Sequence, residues 1–237
     1  MNTALSLVAV CALATLHVLA PRLHGDALER PTWLSVAGGM SVAYVLVYLL
    51  PELAESQHAW LEAWPDRPFR WLDRQVYVTA MFGIILALGI TYAAEGRRPG
   101  MRFWPNTVMF ALHNGIVGAV GLRVDGVLPL ALALLAFGAH FLVNDHALQT
   151  QHPRAFARYG RWVLAGSLVF GWTLSEMLGH PHVILVAALL GFLSGSIILN
   201  SIKEELPGKQ QGRFPLFVVG ALLYTTILLA LAYFSHP

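Results

Sequence analysis

Two neighbouring stretches decide the reading of this chain: residues 106–123, NTVMFALHNGIVGAVGLR, and residues 128–149, LPLALALLAFGAHFLVNDHALQ. Each is apolar enough to enter a bilayer, yet each carries polar, metal-capable side chains where a membrane span ordinarily has none. The first holds His113 and Asn114, followed by Gly115, Gly118 and Gly121; the second holds His140 and Asn144, then Asp145 and His146. Residues four apart share a helix face, so His140 and Asn144 point the same way. Glycines three residues apart make a ridge without side chains, against which a second helix packs closely. The short link 124–127 makes the two spans antiparallel neighbours. Two imidazoles and two amides are therefore expected in one small volume, a candidate ion site at the centre of a transport-type membrane protein.

Composition supports that class. Of 237 residues, 57% are hydrophobic and only 12% charged, about half the charge of an ordinary soluble domain. A net charge of +2 gives no reason to expect a nucleic-acid partner. The single cysteine, Cys11, excludes an intramolecular disulfide and a Cys-rich zinc site, and its apolar surroundings predict a packing role. The chain reads as one transmembrane domain, 1–237, with eight helical spans near 3–20, 33–50, 77–94, 107–122, 128–147, 162–178, 183–202 and 215–234. The first span lacks a basic leader, and Pro21 follows Ala20 where a signal peptide would be cut, so it is expected as a retained helix.

Lys and Arg set the orientation. With the N-terminus outside, inner loops carry Arg22, Arg30, Arg97, Arg98, Arg102, Arg154, Arg158, Arg161, Lys203, Lys209 and Arg213. The outer loops carry Arg67, Arg70, Arg74 and Arg123. Both termini are therefore expected outside, which in a bacterial inner membrane means the periplasm. The outer segment 52–74, with Trp60, Trp64, Phe69 and Trp71 among charges, reads as lying at the membrane–water interface. Residues 95–105 read as a short inner loop. Gly39 to Pro51 and Gly195 to Pro207 are equal in length and lie in spans of opposite direction, a faint inverted echo.

Taken in order, these residues resemble the ZIP family of zinc- and iron-permease-like divalent-metal transporters. That family's second span often ends in His-Leu-Leu-Pro-Glu; here Tyr48, Leu49, Leu50, Pro51 and Glu52 are similar, with Tyr in place of His. The fourth-span motif, His-Asn with a carboxylate and then Gly, is matched by His113, Asn114 and Gly118, with Val117 at the carboxylate. The fifth-span motif keeps His140, with Phe141 at a carboxylate position and Asn144 at the last ligand. Glu176 with Gly179, and Glu204–Glu205–Leu206–Pro207, resemble the sixth and seventh.

The resemblance implies a fold of eight spans arranged three plus two plus three, with an inverted repeat and a metal site between spans 4 and 5. It implies inward transport of Zn²⁺, or of Fe²⁺, Mn²⁺ or Ni²⁺, as substrate, with no organic cofactor and no enzymatic activity. The lipid bilayer is the implied surrounding, and a homodimer suits the fold. The ligand set carried over is His113, Asn114, His140, Asn144 and Glu176. With Val117 and Phe141 at the bridging positions, a two-metal site is not expected.

Other readings stand beside these. Asp145 and His146 make a candidate exit relay, with a solvated helix end as the plainer account. His180 and His182, either side of Pro181, make a candidate capture pair or a plain turn. His17 is most simply a packed polar residue. The missing carboxylates also fit a ZIP-like sensor or structural subunit without transport. A haem-binding redox subunit, with His113 and His140 as axial ligands, is a further alternative.

Overall fold

The structure, a computed structural model, describes residues 3–24, 32–65, 73–95, 99–122, 126–179, 182–200 and 214–235. Among the described residues every regular element is helical: α1 (Thr3–His24), α2 (Thr32–Tyr44), α3 (Leu50–Ala63), α4 (Gln75–Glu95), α5 (Pro99–Ile116), α6 (Val127–Gln151), α7 (Pro153–Ala155), α8 (Arg161–Met177), α9 (Val183–Asn200) and α10 (Phe214–Ser235). Three π-helical turns keep adjoining pieces continuous. Val45–Leu49 joins α2 to α3, Val117–Gly121 extends α5, and Phe156–Gly160 joins α7 to α8. The described residues thus run as eight helical rods. Four contain segments long and apolar enough to cross a membrane (Thr3–Arg22, Trp33–Ala63, Gln75–Ala93 and Val127–Gln151), and Val183–Leu199 and Phe214–Ala230 are shorter apolar helices.

Two expectations about connecting segments are corrected. The second rod continues through Ala63, so much of the segment expected at the interface is helix. Pro51 removes one backbone donor, and the widened turn just before it absorbs the mismatch without ending the rod. Trp60 is buried in a small core with Leu53, Val76, Ala80 and Ala187, whereas Trp64, one turn on, is exposed. Gln57 from the same helix accepts the Val76 N–H at 3.0 Å, satisfying a donor in the first turn of α4. Phe69 and Trp71 lie outside the described residues. The stretch read as an inner loop is mostly the first two turns of α5, opened by Pro99, a residue that fits a helix start. Cys11, expected in packing, is exposed on α1.

Glycine decides how the rods cross. Gly39 of α2 lies against the Phe217 carbonyl of α10, and Gly220 of α10 against that of Val36. Gly83 of α4 and Gly195 of α9 lie against the Phe192 and Ala80 carbonyls of the facing helix, and Gly118 and Gly171 pair α5 with α8 in the same reciprocal way. A Cβ at any of these six positions would overlap backbone. Without water to drive apolar association, close backbone approach is the main attraction left to helices in lipid.

Large apolar side chains point outward, as Met81, Phe82 and Ile85 of α4 do, while His17, His113, Asn114, His140, Asn144 and Asp145 are buried. A soluble domain would show the reverse. Apolar outside and polar inside is compatible with an integral membrane protein. Helix α6 is buried along most of its length, packing on α1 and α2, and carries the polar residues into the middle.

Candidate functional site

The polar layer is built on two stripes of α6. His140 and Asn144, one turn apart, form the first, and their side chains meet at 3.0 Å between Nε2 and Nδ2. The second stripe is Phe137, Phe141 and Asp145, turned toward α1. Asp145 holds His17 Nδ1 at 2.8 and 3.0 Å, with both residues almost fully buried. The His17 ring lies 4.7 Å from that of Phe141.

Helix α5 contributes to both stripes because consecutive residues diverge by about 100° around a helix. His113 turns toward α6 and α9: its ring centroid is 5.1 Å from that of His140, and Nδ1 is 3.3 Å from Ser196 Oγ. Asn114 turns toward α1 and α8: Nδ2 is 2.8 Å from His17 Nε2 and 3.2 Å from the Leu164 carbonyl. Ser41 of α2 meets His140 Nδ1 at 3.4 Å.

Hydrogen-bond bookkeeping assigns the protons. Asn114 gives one amide hydrogen to the Leu164 carbonyl, so its nitrogen, not its oxygen, faces His17. His17 Nε2 must then accept, and its proton sits on Nδ1, donated to Asp145. Ser196 gives its own hydrogen to the Leu193 carbonyl at 2.8 Å, so it accepts from His113 Nδ1–H. His113 Nε2 remains a bare acceptor, buried and without a partner among the described residues. His140 has Nε2 on the Asn144 amide and Nδ1 toward Ser41. His17 and His113 are therefore anchored through Nδ1–H on oxygen and present Nε2, the arrangement outer-shell partners impose on metal-binding histidines. Amides cover two of the three Nε2 atoms, His17 by Asn114 and His140 by Asn144; the third, on His113, is uncovered.

Of the residues singled out in the sequence, His113, Asn114, His140 and Asn144 come together. Glu176 does not join them; it sits half-buried in the last turn of α8. Asp145 is not at a solvated helix end but locked on His17, while His146 lies on another side of α6, half-buried. His182 accepts the Ile184 N–H through Nδ1 at 3.3 Å at the start of α9, as a turn residue would; His180 lies outside the described residues. Val117 and Phe141 are fully buried, and Phe141 fills the space between the rings of His17, His113 and His140. Among the described residues no group of three or more His, Cys, Asp or Glu side chains converges as a metal cluster.

The residues underrated in the sequence are His17, Ser41 and Ser196. His17 carried a usable signal, because an ionisable side chain inside an apolar span needs a buried partner, and Asp145 is the carboxylate inside span 5. The two serines carried none, since serine is common where helices pack in membranes. No protein-family model matches the chain, and no curated protein matches it.

Proposed function

We propose that the protein moves a divalent metal cation inward across a membrane as a ZIP-like transporter, with the ion held between α5 and α6. The observation that carries this reading is the His113–His140 pair, whose ring centroids are 5.1 Å apart. Two imidazoles bound through nitrogen to one tetrahedral ion, at about 2 Å each, have ring centres roughly 5 Å apart. The bare Nε2 of His113 is one donor; His140 becomes the second when the Asn144 amide turns and offers oxygen in place of nitrogen. Asn114, Ser41 and Ser196 are the neutral oxygen sources nearby. Such a set, without a carboxylate of its own, binds weakly and favours zinc or a later first-row ion over a hard cation. Weak binding suits an ion that must leave again.

The architecture supports the same reading. Eight rods fit three plus two plus three spans with both termini outside, and the basic residues then concentrate on the inner side of a bacterial inner membrane. Exchanging spans 1–3 with 6–8 carries the α2–α10 crossing onto the α9–α4 crossing. Gly39 and Gly195, which head the two equal Gly-to-Pro stretches, are notches in those two crossings. An inverted repeat of this kind is the usual frame for alternating access.

A specific observation favours a second reading, a ZIP-like sensor or structural subunit without transport. Asn114 and Asn144 already occupy two of the three imidazole nitrogens, so the network is nearly closed on itself. The haem alternative gains no support. Axial imidazoles on one iron stand about 6 Å apart with a macrocycle between them, whereas these rings are closer and packed against Phe141.

Metal content and affinity of the purified protein, compared with His113→Ala/His140→Ala, test the proposal. Near-stoichiometric Zn, Fe, Mn or Ni that is lost in the folded double variant supports it, and flux into liposomes then separates transport from sensing. No binding above background in the wild type refutes the metal site.

A further inference from the structure

A cleft of about 430 Å³ opens beside the rod formed by α2 and α3, away from the histidines. One face of that rod supplies Tyr44, Tyr48, Glu52 and Glu55, so the stripe reads aromatic, aromatic, acid, acid along its length. Tyr44 and Tyr48 stack with centroids 5.2 Å apart and planes 16° apart, and Phe137 of α6 stands edge-on to Tyr44 at 5.4 Å. The facing wall, from α9, is aliphatic and includes Leu190.

Two features of the cleft call for a ligand. Neither Glu52 nor Glu55 forms an ion pair with a described basic side chain. Tyr44 is only 5% exposed, lines the cleft, and its hydroxyl makes no hydrogen bond to a described residue. The ring is buried while the hydroxyl opens onto the cleft, where a ligand can reach it.

We propose that this cleft binds a small organic cation, a protonated amine with an apolar body, with Glu52 and Glu55 as counter-charges and Tyr44, Tyr48 and Phe137 as the aromatic wall. The composition chooses between cations. A hard metal ion takes six to eight oxygens, and an aliphatic wall offers it nothing. An ammonium group needs one opposite charge and gains from aromatic faces within about 6 Å, while its apolar body is removed from water against Leu190. The volume lies within the roughly 300–1,000 Å³ of small-molecule sites. Phe137 shares a stripe of α6 with Phe141 and Asp145, but none of the cleft residues is a proposed metal ligand, so the proposal does not rest on the metal reading.

The test uses the full chain in nanodiscs of phosphatidylglycerol, which has no amine headgroup. Benzylamine is the probe, with benzyl alcohol and Mn²⁺ as comparators, and calorimetry reads the affinity. Benzylamine is expected to bind saturably and about tenfold or more tighter than the alcohol. Glu52→Gln/Glu55→Gln is expected to abolish that preference, and His113→Ala/His140→Ala to leave it unchanged. Leu190→Trp, which fills the cleft from α9 without touching a carboxylate, is expected to block binding and serves if the Gln pair does not fold. Equal affinity for amine and alcohol, or benzylamine binding indifferent to Glu52→Gln/Glu55→Gln and to Leu190→Trp, overturns the proposal. So does Mn²⁺ binding that depends on Glu52 and Glu55 with no benzylamine binding, which would make the cleft an inorganic-ion vestibule.

Discussion

Asp145 reaches across 128 positions of sequence to hold His17 Nδ1 between its two carboxylate oxygens, at 3.0 and 2.8 Å, in a layer closed to solvent. This contact fastens α1 to α6. Removing one partner of a buried pair strands the other, at a cost of about 3–5 kcal/mol. His17→Ala is therefore expected to lower stability by that order in denaturant unfolding from detergent. His17→Ala/Asp145→Leu should lose less than the two single changes added together, because the double change leaves no orphan. Additive losses would mean that the two residues do not act as a pair.

The glycine crossings give a prediction with its own control. Gly118→Ala and Gly171→Ala each put a methyl group into a facing backbone and should cost about 1–3 kcal/mol or more. Gly89 and Gly166 meet nothing within 4 Å, so alanine there should be neutral or stabilise the helix by up to about 1 kcal/mol. Thermal unfolding of the four variants checks this. Equal losses in all four would count against the crossings as drawn.

His152, just beyond the end of α6, lies edge-on to Phe103 at 5.7 Å. Burial first, and the Arg102 charge second, hold its imidazole below the ordinary histidine range. The unfolded chain then takes up this proton more readily than the folded one, so stability falls as pH drops through the ordinary histidine pKa of about 6.5 and below. His152→Gln should flatten that part of the stability–pH curve. A curve of unchanged slope between pH 7 and pH 5 would assign the acid sensitivity elsewhere.

Asn144→Asp puts a carboxylate beside His140 at the position where the resembled family has a charged or imidazole ligand. Adding one negative charge to a neutral donor set should tighten Zn²⁺ binding by about tenfold or more. Calorimetric titration of the folded variant reads this directly. Affinity equal to that of the wild type would remove α6 from the proposed metal site.

The helical class was legible because it needs only local information. Long apolar runs such as those around Gln75–Ala93 and Val127–Gln151 force intrahelical hydrogen bonding wherever water is absent. The pairing of His113 with His140 was legible for a related reason. A short link between two polar-bearing spans leaves few other places for costly side chains to go. Trp60 shows where local reading failed. Its aromatic, charged neighbourhood looked interfacial, but α3 packs onto α4 and α9 and buries it.

The sequence by itself determined that the chain is helical, rich in apolar spans, and obliged to bury its histidines and amides somewhere. Those consequences follow from hydropathy and helix periodicity, which neighbouring residues fix among themselves. Only the tertiary structure decided the partners. His17 and Asp145 meet because α1 lies along α6, Ser196 and Ser41 orient the other imidazoles from α9 and α2, and Tyr44 to Glu55 face one cleft because a π turn keeps their rod unbroken. Which helix lies beside which is set by glycine notches and backbone carbonyls far apart in the chain, and spacing along one helix carries no record of the helix opposite.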